Sequence, residues 1–220
     1  MNKELNPRQI KTIQNFWTWF QDNEQTIYNA YKLEINKEEV LNHLERNLYY
    51  VSKRMEYFIT KHPQDDNKLK VFLTAQGYKK LFPKMKELQD KIPSLQFFSI
   101  QVYITPLNLE IPMLPIDLLE TIKSTQIKLE DYNAATKKIV LTLYGKENNW
   151  NMNKQQLKRH AYHLLLFTLG EVNYKKHIAD FNYKTLPSNS QGLLSLTELP
   201  EFIDYLAKIN YSRKLKIFFE

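Results

Sequence analysis

The fold of this chain is decided by residues 55–75, which read MEYFITKHPQDDNKLKVFLTA. Apolar side chains recur with a period near two along residues 55–61 and again along residues 69–75, as expected of half-buried β-strands. Between these runs lies the polar segment HPQDDN, whose proline and acidic residues are typical of a turn. The stretch therefore predicts a β-hairpin.

The segments on either side of this hairpin extend the pattern. Before it, residues 7–51 carry apolar side chains at helical spacing and predict packing helices. After it, Gly77 breaks the second strand, and residues 81–92 return to the helical period. Residues 97–105 then form a nearly continuous apolar run, as in a central strand that is covered on both faces. The first half of the chain is therefore predicted to be a set of helices followed by a β-β-α-β unit.

The same order of elements recurs after residues 106–115, a segment that contains three of the nine prolines. Two strand-like runs are followed by a helix that Asn153 caps and Gly170 ends, and then by a further strand. A short helix and an alternating, lysine-bearing strand at residues 214–219 close the chain. No residue-by-residue identity links the two halves, so only the order of elements is repeated.

These patterns predict an α+β fold. The N-terminal helices are expected to pack on a mixed or antiparallel sheet built from two successive β-β-α-β units. We place the helices and the first unit in residues 1–105, a proline-containing connector in residues 106–115, and the second unit in residues 116–220. Since the chain has 220 residues and 43% of them are hydrophobic, one compact globular body is expected.

Composition excludes several classes of function. The chain has no cysteine, which rules out disulfides, iron–sulfur clusters, cysteine-ligated zinc and thiol nucleophiles. Its four glycines lie too far apart for a Walker loop or a dinucleotide-binding fingerprint, and we expect no cofactor. No apolar run is long enough to span a bilayer, and the N-terminus carries no signal peptide. We therefore expect a cytoplasmic protein that does not enter a membrane.

The net charge of +7 raises the question of nucleic-acid binding. Only five of the 31 basic residues are arginines, the residue type best suited to phosphate and base recognition. The lysines are dispersed among acidic residues, and the many Asn, Ile and Tyr residues indicate the amino-acid bias of an AT-rich genome. This pattern favours a solvated surface, and nucleic-acid association is kept as a third hypothesis.

A histidine pair and a nearby acid are the candidate metal ligands. His160 and His163 share one face of the predicted helix, and Glu171 follows its end. The alternative is that His163, which leucines and a phenylalanine follow, is a hydrogen-bonded core residue. Glu171 would then be an exposed acid paired with Lys175 or Lys176.

The tryptophans are the candidate binding residues. Trp17 and Trp19 cannot both face the core from one straight helix, because successive side chains point about 100° apart. If Trp17 faces the core, Trp19 lies on the polar side, where an indole is either covered by another segment or offered to a partner. Trp150, in an asparagine-rich turn, is a second candidate surface anchor.

Three short motifs resemble a family of uncharacterised bacterial proteins. They are FWTWF at residues 16–20, LTAQG at residues 73–77, and LLLFTLGE at residues 164–171 before a strand. The resemblance implies a soluble bacterial α+β protein with no assigned activity. It supplies no catalytic residues.

Two main hypotheses of function follow. The first is a non-catalytic binding or protein-interaction module whose partner is another protein, with the three tryptophans and Glu171 as candidate contact residues. It rests on the missing nucleophile, kinase and cofactor motifs. The second is an enzyme, a metal-assisted hydrolase that uses His160, His163 and Glu171.

Overall fold

The computed structural model of the protein describes residues 5–146 and 153–218, with side chains described up to residue 208. The described residues form two compact units. Unit 1 contains the residues up to Ile104 together with Asn108–Pro115, and unit 2 contains Thr105–Leu107 and the residues from Ile116 onward. The segment predicted as a connector, residues 106–115, is therefore divided between the two units.

Unit 1 consists of three helices and then a three-stranded sheet whose last connection is a helix. In chain order its elements are α1 (Pro7–Asp22), α2 (Glu24–Lys32), α3 (Lys37–Val51), β1 (Glu56–Lys61), β2 (Leu69–Thr74), α4 (Phe82–Asp90) and β3 (Phe98–Val102). Strand β2 lies at the centre of the sheet, antiparallel to β1 and parallel to β3. This arrangement is the predicted β-β-α-β unit.

The core of unit 1 forms where the helices pack on one face of this sheet. Side chains alternate across a strand, so Leu69, Val71 and Leu73 of β2 share the face that enters the core. The helical members of the cluster are Ile13, Phe16, Trp17 and Phe20 of α1, Ile27 of α2, Leu44, Leu48 and Val51 of α3, and Met85 and Leu88 of α4. The residues of Asn108–Pro115 also belong to unit 1, where the Lys70 Nζ donates a hydrogen bond to Met113 O at 3.1 Å.

Unit 2 repeats this order around its own sheet. In chain order its elements are α5 (Ile116–Ser124), β4 (Gln126–Asn133), β5 (Lys138–Gly145), α6 (Lys154–His177), β6 (Ile178–Thr185), β7 (Leu194–Ser195) and α7 (Leu199–Phe218). Strand β5 is antiparallel to β4 and parallel to β6, while the short β7 pairs with the other side of β4. The helix α6 thus makes the same parallel connection that α4 makes in unit 1.

The predicted α+β fold with two β-β-α-β units is confirmed, but the strands form two sheets and not one. In each unit the third strand pairs with the second strand of its own hairpin. The physical reason is that consecutive elements usually pack beside each other, so each crossover helix returns the chain to the nearest strand. The sequence pattern defines the two faces of a strand, but it does not determine which other strand it pairs with.

The predicted strand at residues 214–219 is wrong, because α7 continues as a helix to Phe218. Alternation over six residues is a short signal, and Lys and Leu are good helix formers. Extending a helix that has already started requires no new nucleus, so the local preference for a strand is overridden. Neither α7 nor any other helix in the described part of the chain is long and apolar enough to cross a membrane.

Candidate functional site

Trp17 is a core residue of unit 1. Its indole is buried, and its ring centroid lies 4.9 Å from that of Phe16 and 5.9 Å from that of Phe20. The Trp17 Nε1–H donates a hydrogen bond to Leu88 O at 3.0 Å. Leu88 lies in the last turn of α4, where backbone carbonyls lack a partner within the helix. The Trp17 indole N–H therefore provides a hydrogen-bond donor for a carbonyl in the last turn of α4, and this bond is made within unit 1.

We expect Trp17→Phe to lower the free energy of unfolding by about 1–3 kcal/mol, because Leu88 O would stay buried without its hydrogen bond. The smaller ring adds the effect of a cavity to this loss. Urea denaturation followed by circular dichroism measures the change. The matched control is Trp19→Phe, which should cost less than half as much. If both variants lose the same free energy of unfolding, the hydrogen bond from Trp17 to Leu88 O does not contribute to stability.

Trp19 lies at the border of the same core. Its side chain is partly buried and packs against the core cluster of unit 1. This packing agrees with the alternative in which the indole is covered by other parts of the protein. Trp150 lies outside the described residues. A binding role for either tryptophan stays a prediction.

The helix α6 contains a sharp break. Asn153 caps its start, since the Asn153 side chain and the Gln156 backbone N–H form a hydrogen bond of 2.9 Å, as the sequence predicts. At Gly170 the backbone leaves the helix, with φ at 70° and ψ at 157°, and the helix then resumes to His177. Thr105–Leu107 passes against this break, and the Leu107 N–H donates to Thr168 O at 3.3 Å. Gly170 thus ends the helical segment that Asn153 caps, as the sequence predicts, and a second helical segment follows it directly.

Glu171 directly follows this break and is buried, with 1% of its surface exposed. The expectation of an exposed Glu171 is therefore wrong. The reason is that the helix resumes after Gly170, so Glu171 stands at the start of a helical segment and not beyond a helix end. A negative charge is favoured at a helix start and disfavoured at a helix end.

His160 and His163 lie on the helix before the break. Burial lowers the pKa of His160, and burial with the nearby charges of Arg159 and His160 lowers the pKa of His163 to about 3. The His163 imidazole is therefore neutral at pH 7. Its centroid lies 5.6 Å from the ring of Tyr162, and the four residues that follow it are all buried. His163 itself is partly buried, and its role as a hydrogen-bonded core residue stays a prediction.

The predicted metal ligands do not assemble into a three-residue site. Within residues 5–146 and 153–218, no group of three His, Asp or Glu side chains is placed to hold a metal ion. Gly170 lies between the histidine pair and Glu171, so the helical period that aligns His160 with His163 does not extend to the acid. Metal binding by the histidine pair alone stays a prediction.

The connection between α2 and α3, residues 33–36, exposes two large apolar side chains. We name these residues the α2–α3 loop. Leu33 is 61% exposed and Ile35 is 52% exposed. The residues that alternate with them, Glu34 and Asn36, have left-handed backbone with φ values of 59° and 49°. Residues other than glycine adopt this conformation infrequently, and such strain concentrates at binding and switch sites. The fold therefore holds a strained backbone that presents two apolar side chains to solvent.

A charged cleft of about 590 Å³ lies beside this loop. Its lining residues come from the loop and the first turns of α3, and they are Glu34, Asn36, Lys37, Glu38, Glu39, Asn42, His43 and Arg46. The Lys37 Nζ pairs with Glu34 Oε1 at 2.6 Å and lies 5.3 Å from the ring centroid of Tyr31. These contacts connect the loop to both of its helices.

The α2–α3 loop is not among the sites that the sequence patterns predict. The usable signal is that Leu33 and Ile35 fall between two predicted helices, outside the apolar face of either. Their exposure could have been inferred from that position. The left-handed backbone of Glu34 could not, because glutamate has no preference for it, whereas Asn36 belongs to a residue type that tolerates it.

Comparisons with known proteins do not indicate a function, which is therefore inferred from the geometry of the structure. No protein-family model matches the chain, and no curated protein or solved structure is significantly similar to it. The resemblance of residues 16–20 and 164–171 to bacterial proteins therefore rests on those motifs alone.

Proposed function

We propose that the protein is a non-catalytic protein-binding module and that the α2–α3 loop is its contact site. The observation that carries the proposal is the pair of exposed apolar side chains, Leu33 and Ile35, which alternate with the left-handed residues Glu34 and Asn36. Protein interfaces combine a few apolar anchors with a polar rim, and the charged cleft supplies such a rim. A bacterial origin and a cytoplasmic location remain part of this proposal.

The hydrogen bonds at the two ends of the loop support a binding role. The Leu33 N–H donates to Asn29 O at 2.8 Å, and the Val40 N–H donates to Asn36 O at 3.0 Å, so both ends of the loop are held by helical hydrogen bonds. The pairing of Lys37 with Glu34 adds a side-chain link across the loop. A loop that is already ordered loses less conformational entropy on binding than a mobile one.

The charges beside the loop indicate the chemistry of the partner. Glu38 and Glu39 lie in the first turn of α3, where the helix dipole favours negative charge, and both side chains are exposed. Lys37 already pairs with Glu34, so the remaining charges of the rim are two acids, Glu38 and Glu39, against one base, Arg46. We infer a protein partner with an apolar pocket and a basic rim.

Catalysis has less support from the geometry. The hydrolase hypothesis needs His160, His163 and Glu171 to converge, and within the described ranges no group of three such side chains does so. The cleft at the α2–α3 loop also has charged walls but no cluster of that kind. The protein-binding module is therefore the function that we propose.

The test compares two double variants that remove the same amount of exposed apolar surface. In the first, Leu33→Ser and Ile35→Ser alter the proposed site. In the control, Leu109→Ser and Ile111→Ser alter a different exposed pair of the same unit, 57% and 56% exposed. Immobilised wild-type protein and both variants are used to capture proteins from cells that make the chain. Captured proteins are identified by mass spectrometry, purified, and titrated by calorimetry.

We expect a partner that binds wild-type protein and the control with equal dissociation constants, and binds the first variant at least about tenfold more weakly. All four altered side chains are exposed, so both variants should keep the unfolding midpoint of the wild type. A partner that is lost equally from both double variants would contradict the proposed site. Capture of no protein that binds directly in the titration would contradict the proposed function.

A further inference from the structure

The end of α3 and the turn before α4 bring two separate basic segments of unit 1 together. The Arg54 guanidinium lies 4.7 Å from the ring centroid of Tyr78, and the Lys84 Nζ donates a hydrogen bond to Val51 O. These two contacts connect the end of α3 to residues 78–84. In the sequence the two segments lie more than 20 residues apart, and each alone is only a short basic stretch.

Exposed aromatic rings accompany these basic residues. Tyr50 is 68% exposed and Tyr49 is 47% exposed, both in the last turn of α3. The Lys53 Nζ lies 5.2 Å from the ring centroid of Tyr49. A tyrosine as exposed as Tyr50 has one or both faces of its ring open to a flat ligand.

The surface carries an excess of positive charge. Lys53, Arg54, Lys79 and Lys80 are all exposed, and within the described part of the chain none of them forms an ion pair with an acidic side chain. The C-terminal end of α3 contributes a partial negative charge of about one half, which is far smaller than four positive charges. The basic–aromatic surface, as we name it, consists of Tyr49, Tyr50, Lys53, Arg54, Tyr78, Lys79 and Lys80.

We propose that this basic–aromatic surface binds single-stranded nucleic acid. Proteins that bind single strands without sequence preference place cations along the phosphates and stack bases on aromatic rings, and this surface offers both groups. An acidic protein segment would use the cations, but it would not need a flat exposed ring such as that of Tyr50. The site is distinct from the α2–α3 loop, since Tyr50 lies about 20 Å along α3 from Asn36.

The dispersed lysines of the sequence argued against nucleic-acid binding. In the structure, the contact between Arg54 and Tyr78 places two of the short basic stretches side by side. Together they form a larger basic surface than either stretch forms alone. Lysine suits this role even without base recognition, since contacts to phosphates need charge and no specific geometry. The interaction is therefore independent of base sequence.

The test is fluorescence polarisation with a labelled oligothymidylate of about 12 nucleotides, a length within the site sizes of single-strand binding proteins. Binding is measured at several salt concentrations between about 50 and 200 mM. Two to four phosphate contacts give an expected slope of log K against log salt of about −1.5 to −3. A slope near zero, or no binding in low salt, would overturn the proposal.

Two variants locate the site, and each has a matched control on unit 2. Tyr50→Ala should weaken binding about tenfold through lost stacking, whereas Tyr205→Ala, which removes another tyrosine that is 57% exposed, should leave it unchanged. Lys53→Gln with Arg54→Gln should make the salt slope shallower by about 1.4, whereas Lys128→Gln with Lys184→Gln, an equal loss of exposed charge, should not.

Each remaining outcome overturns the proposal. If the control lysine pair weakens binding as much as Lys53→Gln with Arg54→Gln, the attraction is a property of the net charge and not of this surface. If polyglutamate binds with the same dependence on Tyr50 and Lys53 while the oligonucleotide does not bind, the surface recognises an acidic protein. The glutamine pair also serves if Tyr50→Ala fails to fold, because both altered side chains are exposed.

Discussion

Gly170→Ala is expected to destabilise unit 2 by about 3–5 kcal/mol, the largest effect of any single substitution proposed for this chain. Two costs add. The backbone at Gly170, with φ at 70° and ψ at 157°, lies in a region that only glycine adopts without strain. A Cβ at this position would also lie 2.7 Å from Pro106 Cδ, 2.7 Å from Pro106 N and 2.9 Å from Thr105 C. Backbone atoms are among these neighbours, so side-chain movement alone cannot relieve the overlap.

Gly192→Ala is the matched control for this substitution. Gly192 also has a positive φ, 82°, but a Cβ placed there would meet no atom within 4 Å. It should therefore cost only the backbone strain of about 1–2 kcal/mol. Urea unfolding followed by circular dichroism, with the two variants measured side by side, separates strain from overlap. Equal costs would show that the close passage of Thr105–Leu107 is not what requires glycine at position 170.

Acidification is the second large effect, and His163 is its main source. The pKa of His163 is about 3 in the folded protein, chiefly because the ring is buried, against 6.5 for an ordinary histidine. Between these two pH values the unfolded chain binds more protons than the folded chain, so the free energy of unfolding rises with pH. Stability is therefore complete above about pH 6.5 and is lost progressively as the pH falls toward 3.

The expected loss is about 1.4 kcal/mol for each pH unit over this window for one histidine. Burial also lowers the pKa of His160 and of His177, which makes the dependence steeper near pH 6. His163→Gln, which cannot be protonated, should make the slope shallower by about one proton per molecule. The comparison uses the slope and not the absolute stability, because glutamine can change the packing at every pH.

His43→Gln, which removes an exposed histidine of unit 1, is measured beside His163→Gln as the control for the substitution itself. Urea denaturation curves at constant ionic strength from neutral pH to pH 4 provide the slopes. If His163→Gln and the wild type lose stability in parallel as the pH falls, protonation of His163 does not destabilise the fold.

The parts of the fold that the sequence predicts well are those that depend on neighbours along the chain. The alternation of Leu69, Val71 and Leu73 defines one face of β2, and those three side chains do enter the core of unit 1. The cap at Asn153 is equally local, because it involves only the next helical turn. The β-β-α-β order follows from such patterns, since each is set within about ten residues.

The parts that the sequence does not predict depend on contacts between distant residues. Glu171 is buried at the start of the helical segment that follows Gly170, and Pro106 approaches Gly170 at that break. The local rule that glycine ends a helix gives no indication of this passage. The pairing of Arg54 with Tyr78 likewise joins two segments that the sequence presents as unrelated.

The two exposed apolar side chains of the α2–α3 loop were not predicted for a different reason. Leu33 and Ile35 break the general rule that large apolar side chains lie inside, and composition alone cannot identify such exceptions. The contact residues predicted from the sequence are the tryptophans and Glu171, since Trp17 and Trp19 cannot share one helix face and Trp150 falls in a turn. The fold instead encloses the indole of Trp17 in a hydrogen bond to the end of α4.

The division of residues 105–115 between the two units has a practical consequence for anyone who wishes to produce one half by itself. A fragment that stops at Ile104 lacks Asn108–Pro115, and with it the Met113 carbonyl oxygen that accepts a hydrogen bond from the Lys70 ammonium group. A fragment that begins at Ile116 lacks Pro106 and Leu107, which lie against the break in α6. A fragment boundary at either end of this stretch therefore removes residues that the fragment contacts. If the two halves are expressed separately, both fragments should include residues 105–115.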